Sequence, residues 1–317
     1  MNRKTIPLLA SGTFSLRAMS IMALVLSAGA ALTPATARGQ IFVTNYGGTT
    51  IGEYTTSGAT VNASLVSGLD EPYGIAVSGS DLFVTSLYGG TIGEYSTSGA
   101  MVDASLVSGL NAPQGIAVSA SDLFVVNDPN GTIGEYTTSG ATVNASLVSG
   151  LDYPSGIAVS GSDLFVVNQV ASTIGEYTTS GATVNADLVS RLEAPVDIAV
   201  SGADLFVTNE GVWNGNYYVN GTIGEYTTSG ATVNASLVSG LDNPTGIAVS
   251  GSDLFVTTEN GTIGEYTTLG ATVNAALASG LHFPQGIAVV VPEPAIGALL
   301  LIAGAGISMR RRRRQSA

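Results

Sequence analysis

The chain of 317 residues has no cysteine and a single histidine, His282. Without cysteine there is no disulfide framework, no thiolate metal site and no sulfur nucleophile, so stability has to come from packing and strand pairing. One histidine excludes a multi-histidine metal cluster. Basic residues are nearly as scarce. Arg3, Lys4, Arg17 and Arg38 lie near the start and residues 310–314 form a run of arginines near the end, leaving Arg191 as the one base between. Of the 23 acidic residues, all but Glu293 lie between Gly39 and Val291. Nothing there neutralises phosphates, which excludes nucleic acid as a partner. The acidic surface admits two readings, solubility alone or attraction of divalent cations. Glycine-rich stretches such as Ser78-Gly79-Ser80-Asp81 have no following lysine, so they are turns and not phosphate loops.

What the chain does have is repetition. The string Ile-Gly-Glu-Tyr occurs six times, with its glutamates at Glu53, Glu94, Glu135, Glu176, Glu225 and Glu265. Between copies recur a Pro-x-Gly-Ile-Ala-Val phrase, a Leu-Phe-Val phrase and an Asn-Ala-Ser-Leu-Val-Ser-Gly-Leu phrase. Each is a short apolar or β-branched run bounded by turn residues, which reads as a strand. Asn130-Gly131, Asn220-Gly221 and Asn260-Gly261 stand between two such runs, where a tight hairpin is expected.

Four strands in roughly 41 residues is the size of one propeller blade. The strands are termed A (for example 74–77), B (82–85), C (91–95) and D (104–109). Both blade faces pack on neighbours, which explains runs such as Ile-Ala-Val in place of polar alternation. The expected fold is all-β, a six-bladed β-propeller over residues 38–290. The first copy starts at strand B, with Ile41-Phe42-Val43, and the last ends on an unaccompanied strand A at 286–290. That orphan completes the first blade and closes the ring, so no sheet edge is left open there.

The two ends read as processing segments. Residues 1–37 have early basic residues, an apolar run at 18–32 and Ala35-Thr36-Ala37 as a small-x-small cleavage site, the pattern of a signal peptide. Residues 291–317 contain Pro292-Glu293-Pro294, an apolar stretch at 295–309 and the arginine run. At about 1.5 Å per residue that stretch spans ~22 Å as a short transmembrane helix, less than the ~30 Å hydrocarbon core. Cleavage and a retained anchor both remain open.

Two family resemblances rest on these residues. The Pro-x-Gly-Ile-Ala-Val, Asp-Leu-Phe-Val-x-Asn and Ile-Gly-Glu-Tyr phrases resemble the NHL class of propeller repeat. That implies the fold, but similar rings include binding modules, lactonases and a streptogramin lyase. The tail resembles the PEP-CTERM sorting signal. This implies an exosortase-type partner acting near Pro292, Glu293 and Pro294, a transient inner-membrane tether, and release to the cell surface or extracellular matrix of a Gram-negative type bacterium.

Catalysis needs unlike groups converging on one point, and six near-identical repeats supply few. The repeated glutamates read as structural, each meeting a local hydroxyl or backbone donor. Asp128-Pro129-Asn130-Gly131 lacks the later ligands of a calcium loop and reads as a hairpin turn. The aromatic residues that depart from the repeat are Tyr46, Tyr73, Tyr88, Tyr153, Trp213, Tyr217, Tyr218 and Phe283. All fall in D–A or B–C loops, which share one face, so that face is a candidate platform for a polysaccharide or surface-protein partner. Packing of loops around the channel mouth is the competing reading. While tethered, the chain would leave from the opposite, plain face.

One blade departs most. It has Arg191 and Asp197 where other copies have glycine, together with Glu193 and an insertion at 210–220 bearing Trp213. Long irregular loops on rigid scaffolds commonly hold function. The expected function is a non-enzymatic binding or structural module without a cofactor. The alternative is a lactonase or lyase using Ca²⁺ or Mg²⁺, with Glu71, Glu193 and Asp197 as oxygen ligands.

Overall fold

The computed structural model describes residues 39–215 and 218–290. In chain order, blade 1 supplies β1 (Gln40–Asn45), β2 (Thr50–Thr55) and β3 (Thr60–Ser67). Blade 2 is β4 (Pro72–Ser78), β5 (Asp81–Ser86), β6 (Thr91–Ser96) and β7 (Met101–Ser108). Blade 3 is β8 (Pro113–Ser119), β9 (Asp122–Asn127), β10 (Thr132–Thr137) and β11 (Thr142–Ser149). Blade 4 is β12 (Pro154–Ser160), β13 (Asp163–Asn168), β14 (Thr173–Thr178) and β15 (Thr183–Ser190). Blade 5 is β16 (Pro195–Ser201), β17 (Asp204–Asn209), a small hairpin of β18 (Val212–Trp213) and β19 (Tyr218–Val219), then β20 (Gly221–Thr227) and β21 (Thr232–Leu241). Blade 6 is β22 (Pro244–Ser250), β23 (Asp253–Thr258), β24 (Thr262–Thr267) and β25 (Thr272–Ser279), followed by β26 (Pro284–Val290).

Each blade is a four-stranded antiparallel sheet, and β26 is the innermost strand of blade 1. It pairs with β1 in the register Gln40↔Val290, Ile41↔Val289 and Phe42↔Ala288, so the expected ring closure is present. Strand B shows why the sequence lacks polar alternation. Leu164 and Val166 of β13 pack toward blade 3, with Phe124 and Ile133. Phe165 and Val167 pack toward blade 5, with Ile198, Leu205 and Tyr226. The same arrangement occurs six times, and the six strand B phenylalanines are 0–2% exposed. Burying each contributes about 1.5–3 kcal/mol, so the core is distributed over six inter-blade seams.

A polar latch crosses several seams. In blade 2 the Thr85 hydroxyl accepts from the Gly74 N–H at 2.8 Å and donates to the Gln114 carbonyl of blade 3 at 2.6 Å. Thr208 and Thr257 bridge to the Thr245 and Gln285 carbonyls in the same way. Val126 and Val167 hold this position in blades 3 and 4, and in blade 4 the Ser155 hydroxyl reaches the Val196 carbonyl of blade 5 at 2.7 Å instead.

Strand D begins earlier than the sequence suggested, at Met101 in blade 2 where 104 was expected. Its pairing is interrupted. In blade 3, Asn144 lies opposite Glu135 and Val148 opposite Ile133, so three D residues bulge out over one C residue. The Asn144 side chain accepts the Ser146 N–H at 3.1 Å, holding the bulge. Bulges of this kind blunt an edge strand against pairing with other chains. Blade 3 departs from the tight hairpin expected at Asn130-Gly131, and its B–C connection is of the same length as those of blades 1, 2 and 4. These connections are the four-residue loops 46–49, 87–90, 128–131 and 169–172.

The processing segments, including Pro292, Glu293 and Pro294, and the aromatic Tyr217 lie outside the described residues. Among the described residues no helix is long and apolar enough to cross a membrane.

Candidate functional site at the channel mouth

The D–A and B–C loops do share a face. The N–H of the first B–C loop residue donates to the carbonyl of the residue before each strand A proline, as in Leu87 to Glu71, Gln169 to Tyr153 and Tyr46 to Phe283. Those pre-proline residues (Glu71, Ala112, Tyr153, Ala194, Asn243 and Phe283) all have φ between 43° and 53°, a left-handed bend that aims each carbonyl at the loop.

Three tiers of residues approach the axis. The floor is the third residue of each strand A, which is Asp197 in blade 5 and glycine in the other five blades. A Cβ on Gly74, Gly115 or Gly246 would lie 2.2–2.4 Å from the carbonyl of the next strand A, so backbone crowding demands glycine. The remaining void is about 30 Å³, the share of roughly one water. Above the floor sit Tyr73, Val196, Thr245 and Gln285, and above them the first B–C loop residues Tyr46, Leu87, Gln169, Glu210 and Glu259. Together these upper tiers enclose a vestibule of about 220 Å³.

The vestibule is acidic. The Tyr73 hydroxyl feels the charges of Asp197, Glu210, Asp128 and Glu259 on top of its own burial, all of which raise its pKa. Burial, then the Glu259 charge, pushes Glu210 up to about 7. Burial raises Asp128 too, against a hydrogen bond from Gln114. Asp197 is raised to about 6 by burial, opposed by hydrogen bonds from the Ile247 and Ile198 N–H groups. The Ile247 bond to its Oδ2 is 3.0 Å. Asp197 is enclosed by protein yet keeps a partly accessible surface, because it faces the narrow bore. Burial lifts Tyr46 to about 12, helped by hydrogen bonding to Glu71 and Tyr88. Glu259 is held by the Asn243 side-chain amide at 2.8 Å.

The aromatic residues proposed as one platform separate into groups. Tyr46 and Tyr73 line the vestibule, and Tyr73 is the second residue of β4, not part of a loop. Tyr88, Tyr153 and Phe283 are exposed on the rim. Trp213 and Tyr218 form their own edge-to-face pair, with centroids 5.2 Å apart, on the β18–β19 hairpin. The proposed metal trio is not brought together: Asp197 is on the floor, Glu71 beside Tyr46, and Glu193 in a groove with Arg191. Among the described residues no three His, Cys, Asp or Glu side chains are grouped to hold a metal ion.

The repeated glutamates also differ from expectation. Glu53 accepts from the Gln40 amide at 2.7 Å, a side-chain donor. In the other blades an aspartate stands at Gln40's position, and burial, then that aspartate's charge, raises Glu94, Glu135, Glu176, Glu225 and Glu265. The tier formed by Leu87, Gln169, Glu210 and Glu259 went unrecognised in the sequence, although its position, directly after strand B, varies in chemistry from copy to copy.

The profile of the virginiamycin B lyase family matches residues 18–289. The chain belongs to this family. No curated protein matches it. Among solved structures, a chain of the nidogen–laminin complex is similar with a TM-score of 0.65 and 14% identity, over 80% of this chain and 100% of that one. A streptogramin B lyase gives 0.55 and 22%, over 78% and 83% of the two chains. A catalytically inactive histidine-to-alanine variant of virginiamycin B lyase from Staphylococcus aureus, with quinupristin, gives 0.51 and 23%, over 70% and 74%. At these identities the likeness concerns the fold. His282, the one histidine of this family member, is exposed in a D–A loop and does not line the vestibule.

Proposed function

We propose that this chain is a binding module whose site is the vestibule at the channel mouth, and that its partner is a carbohydrate or surface protein presenting hydrogen-bond donors. One observation carries the reading: a cavity of about 220 Å³ lined by Tyr46, Tyr73, Gln169, Glu210 and Glu259, rich in acceptors and without a base. Donor groups of the partner enter the cavity, while rim aromatics such as Tyr88 and Phe283 cover apolar parts. A glycan array with the 38–290 body tests it. Binding lost in Tyr73→Phe and Glu210→Gln supports the site, and binding unchanged in both removes it.

Family membership favours a second reading, a lyase. Elimination needs a base poised near neutrality, and Glu210, at about 7, is the vestibule group that qualifies. Quinupristin incubated with the protein and followed chromatographically discriminates the two. Loss of the parent compound that disappears in Glu210→Gln establishes the lyase, and an unchanged parent compound leaves the binding module.

The resemblance of the two ends to export and sorting signals supports an exported protein processed near Pro292–Pro294 at a Gram-negative type cell surface. Mass spectrometry of the surface fraction tests this, since an unprocessed chain starting at Met1 and ending at Ala317 refutes it.

A further inference from the structure

Blade 5 contains a second cavity, of about 150 Å³, on its flank and apart from the vestibule. It is lined by Arg191, Leu192, Glu193, Asn209, Thr222 and Tyr226, with Ala235 and Ser236. Blade 2 has the same groove at the same repeat positions, lined by Gly68, Leu69, Asp70, Ser86, Thr91 and Tyr95. The groove is therefore a by-product of blade geometry, and its chemistry depends on which residues line it.

Three observations single out blade 5. First, Arg191 has φ of 67°, while the five other copies have glycine there, at Gly68, Gly109, Gly150, Gly240 and Gly280. A left-handed conformation costs a non-glycine residue about 1–2 kcal/mol, so arginine stands here at a cost that the glycine of the other copies avoids. Second, Arg191 is the one lysine or arginine among the described residues, on a body whose other ionised groups are nearly all carboxylates. Third, Asn209 is 2% exposed and lines the groove, yet its Oδ1 has no hydrogen-bond partner. Its amide nitrogen is already committed to Thr222 Oγ1 at 3.2 Å. A buried acceptor left so costs about 1–3 kcal/mol until a donor arrives. Buried asparagines with the same unpartnered oxygen recur at Asn45, Asn127 and Asn168, but only Asn209 has an arginine beside it.

The complement follows from this inventory. The guanidinium calls for one carboxylate. Asn209 Oδ1 and the Glu193 carboxylate call for hydroxyl donors. Leu192 and the face of Tyr226 offer an apolar wall. Glu193 also acts electrostatically on the Tyr226 hydroxyl, which places its charge close to the groove. A dianionic phosphate is opposed by that carboxylate, and a neutral sugar leaves the arginine unused. We propose that the blade 5 groove is a binding site for a carboxylated sugar, a uronic acid unit, with Arg191 reading the carboxylate and Asn209 and Glu193 reading hydroxyls.

Titration calorimetry of the 38–290 body with glucuronate tests this, with glucose and inorganic phosphate as comparators. Saturable glucuronate binding is expected, with glucose and phosphate each at least tenfold weaker. Arg191→Gly restores the residue of the other blades and relieves the backbone strain, so it folds at least as stably, and it is expected to lose at least tenfold in affinity. Asn209→Ser, the residue that blade 2 has as Ser86, weakens binding several-fold. Glu210→Gln, in the vestibule, leaves it unchanged. Absence of glucuronate binding, equal binding by the Arg191→Gly chain, or equal affinity for glucose or phosphate overturns the assignment.

Discussion

Asp197 offers a direct test of how the channel floor is built. Replacing it with asparagine keeps the size of the side chain and an acceptor oxygen for the Ile247 N–H, removes the charge, and turns the other oxygen into an NH2 group. The native carboxyl is raised from 3.8 to about 6, chiefly by burial. Between those two values the folded protein holds a proton that the unfolded chain has released. Stability contributed by this group therefore falls as pH rises from about 4 to 6 and stays lowered above it. A rise of about two units corresponds to roughly 3 kcal/mol. Asp197→Asn should thus be more stable than the parent by up to about 3 kcal/mol at pH 8, and about equal to it at pH 4. For a domain of this size the gain is about 6–12 °C in Tm at pH 8. Glu210 is also raised, to about 7, as are five strand C glutamates, so the parent itself should be more stable near pH 5 than near pH 8. Urea denaturation of both chains at unit pH steps from 4 to 8 measures this. Parallel curves for parent and variant, or an asparagine variant that is weaker at pH 8, would refute the reasoning.

Three further outcomes follow from the seams between blades. Gly140, at φ 85°, would place a Cβ 2.5 Å from the Leu106 carbonyl of blade 2, so Gly140→Ala should cost at least about 2 kcal/mol in urea denaturation. Thr85→Val strands the Gly74 N–H and the Gln114 carbonyl and should cost about 2 kcal/mol by the same assay, although valine itself fits there in blades 3 and 4. Ending the chain at residue 283 removes β26, exposes β1 as an open edge, and should abolish cooperative unfolding as followed by circular dichroism.

Much of the architecture was legible because the repeat states it six times over. The start on strand B and the finish on strand A already imply the seam at which β26 meets β1. Strand D was read too short in blade 2 because Met101, Val102 and Asp103 lie on the far side of the bulge at 104–106, which interrupts the pairing with strand C. The site was only partly legible. Position 197 stood out as a lone acid in a column of glycines, and the structure places it on the axis. Arg191 and Glu193, only a few residues earlier, were grouped with it, but the chain turns from flank to axis at Pro195, so the three part company. The upper tier was missed for a different reason. Leu87, Gln169 and Glu210 look like unremarkable turn residues until the ring brings equivalent positions of all blades to one axis, a long-range effect that no local pattern encodes.

The register of β26 against β1 has a mechanical consequence. Gln40 and Val290 are opposite one another at the same end of an antiparallel pair, so a load pulling those two residues apart strips the ladder one rung at a time and never shears all rungs together. The ring should therefore open under gentle tension at this single joint. Joining the two residues by a short linker and cutting elsewhere, at an exposed C–D turn such as residues 138–141, should yield a rearranged chain with the same fold and no weak point at blade 1.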